Sequence, residues 1–335
     1  MSITIKDIAR HAGVSTATVS NALTGKKHVS TELKQKVLSA IDELGYRPNV
    51  YARILKTNRS HIIGVHVPDL SNPFFGEGVK AVQSVAEKAG YQIVLYDSDN
   101  DIQNEERNVQ SMLDANLDGI ISIAPRMDIS ELIAHVNVPL IIIDHPSIPT
   151  KRNVAFVFSD NYKGSASITN YLVKHGYKRF YYVAGPTKIV ANAKVRLEGF
   201  KDTIKQHGLP DESYHIVYGD FTFASGYELM TNLMENYDLS PEPTVAIIGS
   251  DIMAWGAMEA IKDKKLKIPK DIGIVGYDNI YFSSFLFPKL TTVENPINQM
   301  SIRAMRLMLD ALEKQKKLEG MSVILESSLV VRDSC

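Results

Sequence analysis

A chain of 335 residues is too long for one small core and implies two or three domains; with 44% hydrophobic and 22% charged residues it reads as globular rather than disordered. The net charge of −1 conceals an asymmetry: residues 1–60 hold ten Lys/Arg against four Asp/Glu, a net of +6, and the remainder carries −7. Cys335 is the only cysteine, which excludes a disulfide framework and a cysteine-based metal site, and no metal or other cofactor is expected. No apolar run approaches the roughly 18–20 residues of a membrane span. Lys6, Asp7, Arg10 and His11 interrupt any secretory leader, so a cytoplasmic protein without membrane contact is expected.

Residues 3–45 predict three short helices. Ile5, Ile8 and Ala9 form one apolar face, and Gly13-Val14 makes a tight turn. Ser15 is placed to cap a second helix running through Val19 to Leu23 by accepting a bond from a free backbone N–H. Ser30 is placed to cap a third, whose Leu33, Val37, Ala40, Ile41 and Leu44 share a stripe that stops at Gly45. A small basic head on an acidic body is the pattern of a domain that meets a polyanion.

From residue 61 the texture changes. Eight apolar, β-branched runs follow in turn: IIGVHVPD, YQIVLYDSD, DGIISIAP, VPLIIIDHP, RFYYVAGP, SYHIVYGD, TVAIIGSD and IGIVGYDN. Amphipathic helical patterns such as Val79-Val82-Val85-Ala86 fill most intervals, and this alternation predicts parallel sheets covered on both faces. The runs end in acids, Ser, Gly or Pro (Asp69, Asp97, Asp144, Asp220, Ser250-Asp251 and Asp278 among them), where open α/β sheets hold ligands. Eight strands are many for one sheet, so two lobes with a cleft are expected. Val323-Ile324-Leu325 and Leu329-Val330-Val331 offer late strands.

The head has the chemistry of a helix-turn-helix. Short side chains at the start of the second helix let its backbone approach a major groove, and Thr16, Ala17, Ser20 and Asn21 fit. Thr or Ala can touch thymine methyls, and Asn can bond an adenine edge. By spacing alone, a small helical bundle that binds no DNA reads the same way.

Residues 4–60 resemble the head of the LacI/GalR (lactose repressor/galactose repressor) family. The resemblance continues through VPDLSNPFF (67–75), SDN (159–161), RLEGF (196–200), SDIMAWGAMEAI (250–261), IGIVGYDN (272–279), PKLTTVENP (288–296) and LVVRDS (329–334). It implies a small all-α helix-turn-helix head plus an α/β two-lobed periplasmic-binding-protein-like body with parallel sheets. The implied domains are 1–47 for DNA binding, 48–60 as a hinge helix, and 61–335 for effector binding and dimerisation. The lobes would comprise about 61–161 with 293–322, and about 162–292 with 323–335.

The resemblance also implies roles. Ser15 and Ser20 would fix phosphates while Thr16, Ala17 and Asn21 read bases; Asn21 stands where the lactose repressor has an arginine. The segment after Tyr46-Arg47-Pro48 would become a helix only when a dimer sits on its operator, its Leu55 wedging into the central base step of the minor groove. An isolated helix of about eight residues is marginal in water, and an apolar wedge offsets unstacking by bending the duplex around more protein. Asn49, Ala52, Leu55 and Lys56 would form the minor-groove set, with Arg53 and Arg59 supplying charge. Ile54 replaces a residue that is small in many members.

In the body the resemblance places Phe74 and Phe75 on one wall of an effector cleft and Asp144, Asn192, Arg196, Phe221, Ser250 and Asp278 on the rest. Carboxylates, an arginine and ring faces suit a polyhydroxylated ligand. Ser250 replaces an asparagine common in the family. Purine-sensing members carry an extra arginine before RLxGF, and TKIVANA (187–193) has none, which favours a sugar; Lys188 and Arg126 keep a sugar phosphate open. Members that answer to a phosphorylated carrier protein carry a Tyr-Asp pair where this chain has Asn298-Gln299. Trp255 falls in a helix that the resemblance places at the interface of a homodimer bound to a pseudo-palindromic operator. After LVVRDS no leucine heptads follow, so no tetramerising tail is expected.

The sequence also offers two rival readings. Gly76-Glu77-Gly78-Val79-Lys80-Ala81 matches G-x-G-x-x-A, with Asp97 21 residues past Gly76. The preceding apolar run ends about seven residues too early for a dinucleotide-binding enzyme, whose tight turn directly follows its strand. A plain sugar-binding protein would lack the basic head. His66, His145, His175 and His207 are scattered and read as core or surface groups.

Overall fold

The computed structural model describes residues 3–24, 28–46, 59–236 and 242–335. The chain separates into two compact units, Met1–Ser60 and His61–Cys335. The hinge candidates Asn49, Ala52, Arg53, Leu55 and Lys56 lie outside the described residues.

The first unit holds α1 (Ile5–Ala12), α2 (Thr16–Thr24) and α3 (Thr31–Leu44). Asp7 reaches back to the Thr4 backbone N–H at 2.9 Å and hydroxyl at 2.6 Å, closing the first turn of α1. Gly13 ends that helix at φ 66°, a left-handed conformation that suits a residue without Cβ. Ser15 Oγ accepts the Thr18 N–H at 3.0 Å, the predicted cap of α2. Ser30 caps α3, and Gly45 ends it at φ 60°. Ile8, Ala9, Val19, Val37, Ala40 and Tyr46 form the core. Leu33, expected on the apolar stripe, is exposed instead: it lies in the first turn of α3, ahead of the residues that meet α1 and α2.

The second unit contains two six-stranded sheets. Strands β1 (Ile62–Val67), β2 (Gln92–Asp97), β3 (Gly119–Ile123), β4 (Leu140–Ile143), β5 (Val154–Ser159) and β11 (Met321–Leu325) pair in the order β11-β5-β4-β3-β1-β2, all parallel. Strands β6 (Arg179–Ala184), β7 (Tyr214–Tyr218), β8 (Thr244–Ile248), β9 (Gly273–Asp278), β10 (Thr291–Glu294) and β12 (Ser328–Val330) pair as β12-β10-β9-β8-β6-β7, with only β12 antiparallel. The helices that matter for the site are α4 (Pro73–Lys88), α5 (Ile102–Asp114), α6 (Ile129–His135), α7 (Asn161–Lys174), α8 (Ala191–Gln206), α9 (Phe223–Asn236), α10 (Asp251–Asp263) and α11 (Ile297–Glu313). Strand interiors such as Leu140–Ile143 and Thr244–Ile248 are buried throughout, as sheets covered on both faces require.

All eight predicted runs are strands. Strands β5 and β10 were not among them; β10 opens with Thr291-Thr292, whose buried hydroxyls bond inward and disguise a core strand as a polar one. The lobe boundaries move slightly. Strand β10 belongs wholly to the second sheet, so the chain returns to the first lobe at 295–296 rather than 293. Strand β11 pairs with β5, so the last crossing falls at 326–327 rather than 323, because Val323-Ile324-Leu325 completes the first sheet.

Candidate functional site

In the helix-turn-helix unit, Ser15, Thr16 and Ala17 are exposed at the start of α2, and Ser20 and Asn21 are half-buried one turn on, while Val19 points into the core. All five candidates are thus at least partly exposed, in the cap and the first two turns of α2. They form a short-side-chain surface at a helix N-terminus, where free N–H groups favour phosphate.

In the larger unit, the carboxyl ends of β1, β3, β4, β8 and β9 converge on one cavity between the lobes. All eight predicted effector residues line it. The first lobe supplies Phe74, Phe75 and Asp144; the second supplies Asn192, Arg196, Phe221, Ser250 and Asp278. Five lining residues hold positive φ: Asn100 (57°), Ala124 (47°), Asp144 (55°), Phe221 (72°) and Asp278 (114°). Each such backbone costs about 1–3 kcal/mol and turns a side chain away from its strand direction.

Arg196 is the best-anchored member. Its Nε donates to Asn161 Oδ1 at 2.6 Å and its Nη1 to the Gly249 carbonyl at 2.8 Å. Its Nη2 stands 3.6 Å from Asp278 Oδ1, and the guanidinium lies 3.7 Å over the Tyr277 ring. Burial works against its charge, but Asp278, Tyr277 and Asp144 together hold its pKa above the usual value. Burial pushes the Asp278 carboxyl well above the usual range despite Arg196 beside it, and raises Asp144 in the same way. Two buried carboxyl groups that resist ionisation thus share one buried cation, an arrangement that attracts hydroxyl groups.

Asn192 Nδ2 donates to the Asp144 carbonyl at 2.7 Å and carboxylate at 2.8 Å, and Asn295 Nδ2 reaches the same carboxylate at 3.3 Å. Asn295 is itself held by Ser159 Oγ at 2.7 Å. Ser250 lines the cavity and caps α10 by accepting the Met253 N–H at 3.4 Å. The Phe221 ring packs so closely on Gly185 that a Cβ there would clash with it.

Residue reasoning did not assign Asp69, Asn72, Asn100 or Arg126, which also line the cavity, nor Asn161 and Asn295 behind it. Asn72, Asn161 and Asn295 sit in the quoted motifs SNPFF, SDN and TTVENP. Arg126 carried only a loose expectation of charge. Its backbone N–H is accepted by Glu105, a buried carboxylate that burial pushes up to about 7. His66 is a satisfied core histidine between Ser122 (3.1 Å) and Ser98 (3.3 Å), and burial lowers it to about 4.

Gly76 and Gly78 lie inside α4, and Gly78 packs against Ile297 and Ser301, so the glycine pattern serves helix packing rather than a phosphate turn. Trp255 is half-buried within its own lobe, edge-on to Phe223 at 5.5 Å and 5.9 Å from Phe282. Tyr281, Phe285 and Phe287 nearby in the chain are 55%, 76% and 99% exposed. Among the described residues there is no group of three or more His, Cys, Asp or Glu fit to hold a metal, and no helix long and apolar enough to cross a membrane.

A helix-turn-helix head and a two-lobed α/β body with a polar, aromatic-walled cleft define a ligand-responsive DNA-binding protein. Residues 4–49 match the lacI family of bacterial regulatory proteins, and 169–335 match the periplasmic binding protein-like domain. The chain is 36% identical to the ribose operon repressor of Halalkalibacterium halodurans, covering 99% of this chain and 96% of that one. It is 35% identical to the transcriptional regulator RegA of Clostridium saccharobutylicum, covering 100% and 99%. The lac repressor dimer bound to operator and the anti-inducer ONPF superposes with TM-score 0.86 at 27% identity, covering 100% and 99%. The CelR–cellobiose complex gives 0.73 at 26%, covering 99% and 100%.

The chain belongs to the lacI family. It is a DNA-binding transcriptional repressor with a ligand-binding effector domain, and its relatives are transcription regulators rather than enzymes.

Proposed function

We propose that the protein acts as a homodimer on a pseudo-palindromic operator and represses a carbohydrate-utilisation operon, with operator affinity set by a sugar in the interlobe cleft. The observation that carries the sugar reading is the buried arrangement of Arg196 between Asp278, Asn161 and the Tyr277 ring, in a cavity also lined by Asp144, Phe74, Phe75 and Phe221. Charged groups bond hydroxyls, and ring faces cover the apolar C–H side of a sugar. A relative that represses a ribose operon and a structural neighbour solved with cellobiose support the same class.

The cleft transmits its state by closure. Asn192 and Asp144 tie the lobes at the cavity, so a ligand that competes for or reinforces that tie alters the angle between them. Residues 48–60 act as the hinge whose Leu55 wedges the operator. The half-exposed Trp255 and the exposed rings of Tyr281, Phe285 and Phe287 supply the apolar anchors of a dimer surface.

Thermal unfolding of the purified protein against a panel of sugars, sugar phosphates and purines tests this. A ligand at 100 times its dissociation constant adds about 2.7 kcal/mol to the folded state. A shift with one sugar class is expected; a shift with purines alone contradicts the reading.

A further inference from the structure

Arg126 lies in the loop after β3 and presents its guanidinium to the cavity wall. Nη1 donates to the Asn100 carbonyl of the same lobe at 3.4 Å, and Nη2 to the Asp220 carbonyl of the other lobe at 3.4 Å. Both bonds are long and both acceptors are neutral, so strong donor capacity faces the cleft. The loop itself is held from behind. The Glu105 carboxylate accepts the Arg126 N–H at 3.0 and 3.1 Å and the Met127 N–H at 3.3 Å. Glu105 is 1% exposed, so this is a built support and not a surface contact.

The two arginines of the cleft have separate partners. Arg126 is held by Glu105 and the Asn100 and Asp220 carbonyls, whereas Arg196 is held by Asn161, the Gly249 carbonyl and Asp278. The sets share no residue, so the cavity has two polar poles, with Phe74, Phe75 and Phe221 also in its walls. At each pole an arginine donor is accompanied by a lining carboxylate: Asp69, which also accepts from Asn100 Nδ2 at 3.0 Å, with Arg126, and Asp144 and Asp278 with Arg196. A hydroxyl accepts from the first and donates to the second. A phosphate dianion can only accept, and it meets the lining Asp69 as a like charge.

We propose that Arg126 determines specificity at this second pole, that Glu105 positions it, and that the pole selects an uncharged sugar over its phosphorylated form. The inference rests on the sugar reading above and goes beyond it by naming the charge of the ligand and the residues that enforce it. It also assigns Arg126 the opposite role from a phosphate clamp.

Titration calorimetry on the full chain tests it, with D-ribose against ribose 5-phosphate and D-glucose against glucose 6-phosphate as probes. The wild type binds a neutral sugar at least about tenfold more tightly than its phosphate. Arg126→Gln weakens the neutral sugar by roughly tenfold or more, the scale of a lost bond to a charged group. Arg126→Lys, which keeps charge without the planar fork, restores only part of it. Glu105→Gln weakens binding several-fold when Arg126 is present and leaves it unchanged in the Arg126→Gln background. A merely structural role for Glu105 would give the same factor in both backgrounds. Unaltered sugar binding in Arg126→Gln overturns the inference and leaves the sugar reading standing. Tighter binding of a phosphate, lost in Arg126→Gln, also overturns it. Binding of none of the four probes to the wild type removes the sugar reading as applied to these sugars and the inference with it.

Discussion

Asn192 and Asp144 stand 48 residues apart in the chain, on different lobes, and meet through two hydrogen bonds from one amide nitrogen, at 2.7 and 2.8 Å. One bond reads the Asp144 main chain and the other its carboxylate, so the contact fixes a backbone position as well as a side chain. Asn192→Ala removes both while leaving Arg196 and Asp278 in place. The expected result is a wider distribution of interlobe distances, measured between spin labels on the two lobes, and a several-fold weaker sugar affinity. A distribution equal to that of the wild type would show that the tie has no part in closure.

Arg196→Ala should abolish the ligand response with operator binding largely retained, because Arg196 lies in the unit separate from the helix-turn-helix head. It also strips the cation from two buried carboxylates, a loss worth about 3–5 kcal/mol when one partner of a buried pair is removed. Protonation of Asp278, already favoured by burial, will absorb part of that cost. Denaturant unfolding and operator titration with and without sugar separate the two effects.

Asp251 gives a pH signature. Its carboxylate accepts from the Ile280 N–H at 3.1 Å, Ser283 Oγ at 2.5 Å and Thr292 Oγ1 at 2.6 Å, with Arg332 as the nearby cation. Burial outweighs these partners and pushes it to about 6 from an ordinary 3.8. Between those values the folded state holds more protons than the unfolded chain, so the Asp251 contribution declines as pH rises through that window and is lowest above about 6. In Asp251→Asn this slope disappears. The stability of wild type relative to variant should fall by on the order of 1–3 kcal/mol from the acid end to the neutral end. Chemical unfolding of both proteins across that range measures it, and a constant difference would contradict the assignment.

Leu55→Ala should weaken operator binding by roughly 1–3 kcal/mol, the scale of wedge and unstacking contributions. Fluorescence anisotropy at fixed salt is the measurement, since phosphate contacts make affinity salt-dependent. Unchanged affinity would remove Leu55 from the minor groove.

Local chemistry made much of this molecule readable. Caps such as Ser15 and Ser30 and stops such as Gly13 and Gly45 are one-residue signals, and continuous runs such as LIII mark strands buried on both faces. Strand β10 escaped notice because Thr291 and Thr292 satisfy their hydroxyls only through partners distant in sequence: Thr292 bonds Asp251, 41 residues away. Arg196 and Asp278 were found through motif resemblance, not through spacing, since 82 residues separate them in the chain. The importance of Arg126 was hidden for a related reason. What distinguishes it is the Glu105 carboxylate that holds its backbone, and no periodicity links a helix residue to a loop 21 positions later.

Coupling between cleft and DNA is the central property of this protein's proposed function. The decisive measurement is the affinity of the full chain for a pseudo-palindromic duplex, selected by the protein from a random pool, with and without a saturating neutral sugar that shifts its thermal unfolding. The expected result is a change in operator affinity of about 5–150-fold, the 1–3 kcal/mol usual for allosteric coupling, and loss of that change in Arg196→Ala. A sugar that binds the cleft yet leaves operator affinity unaltered would contradict it.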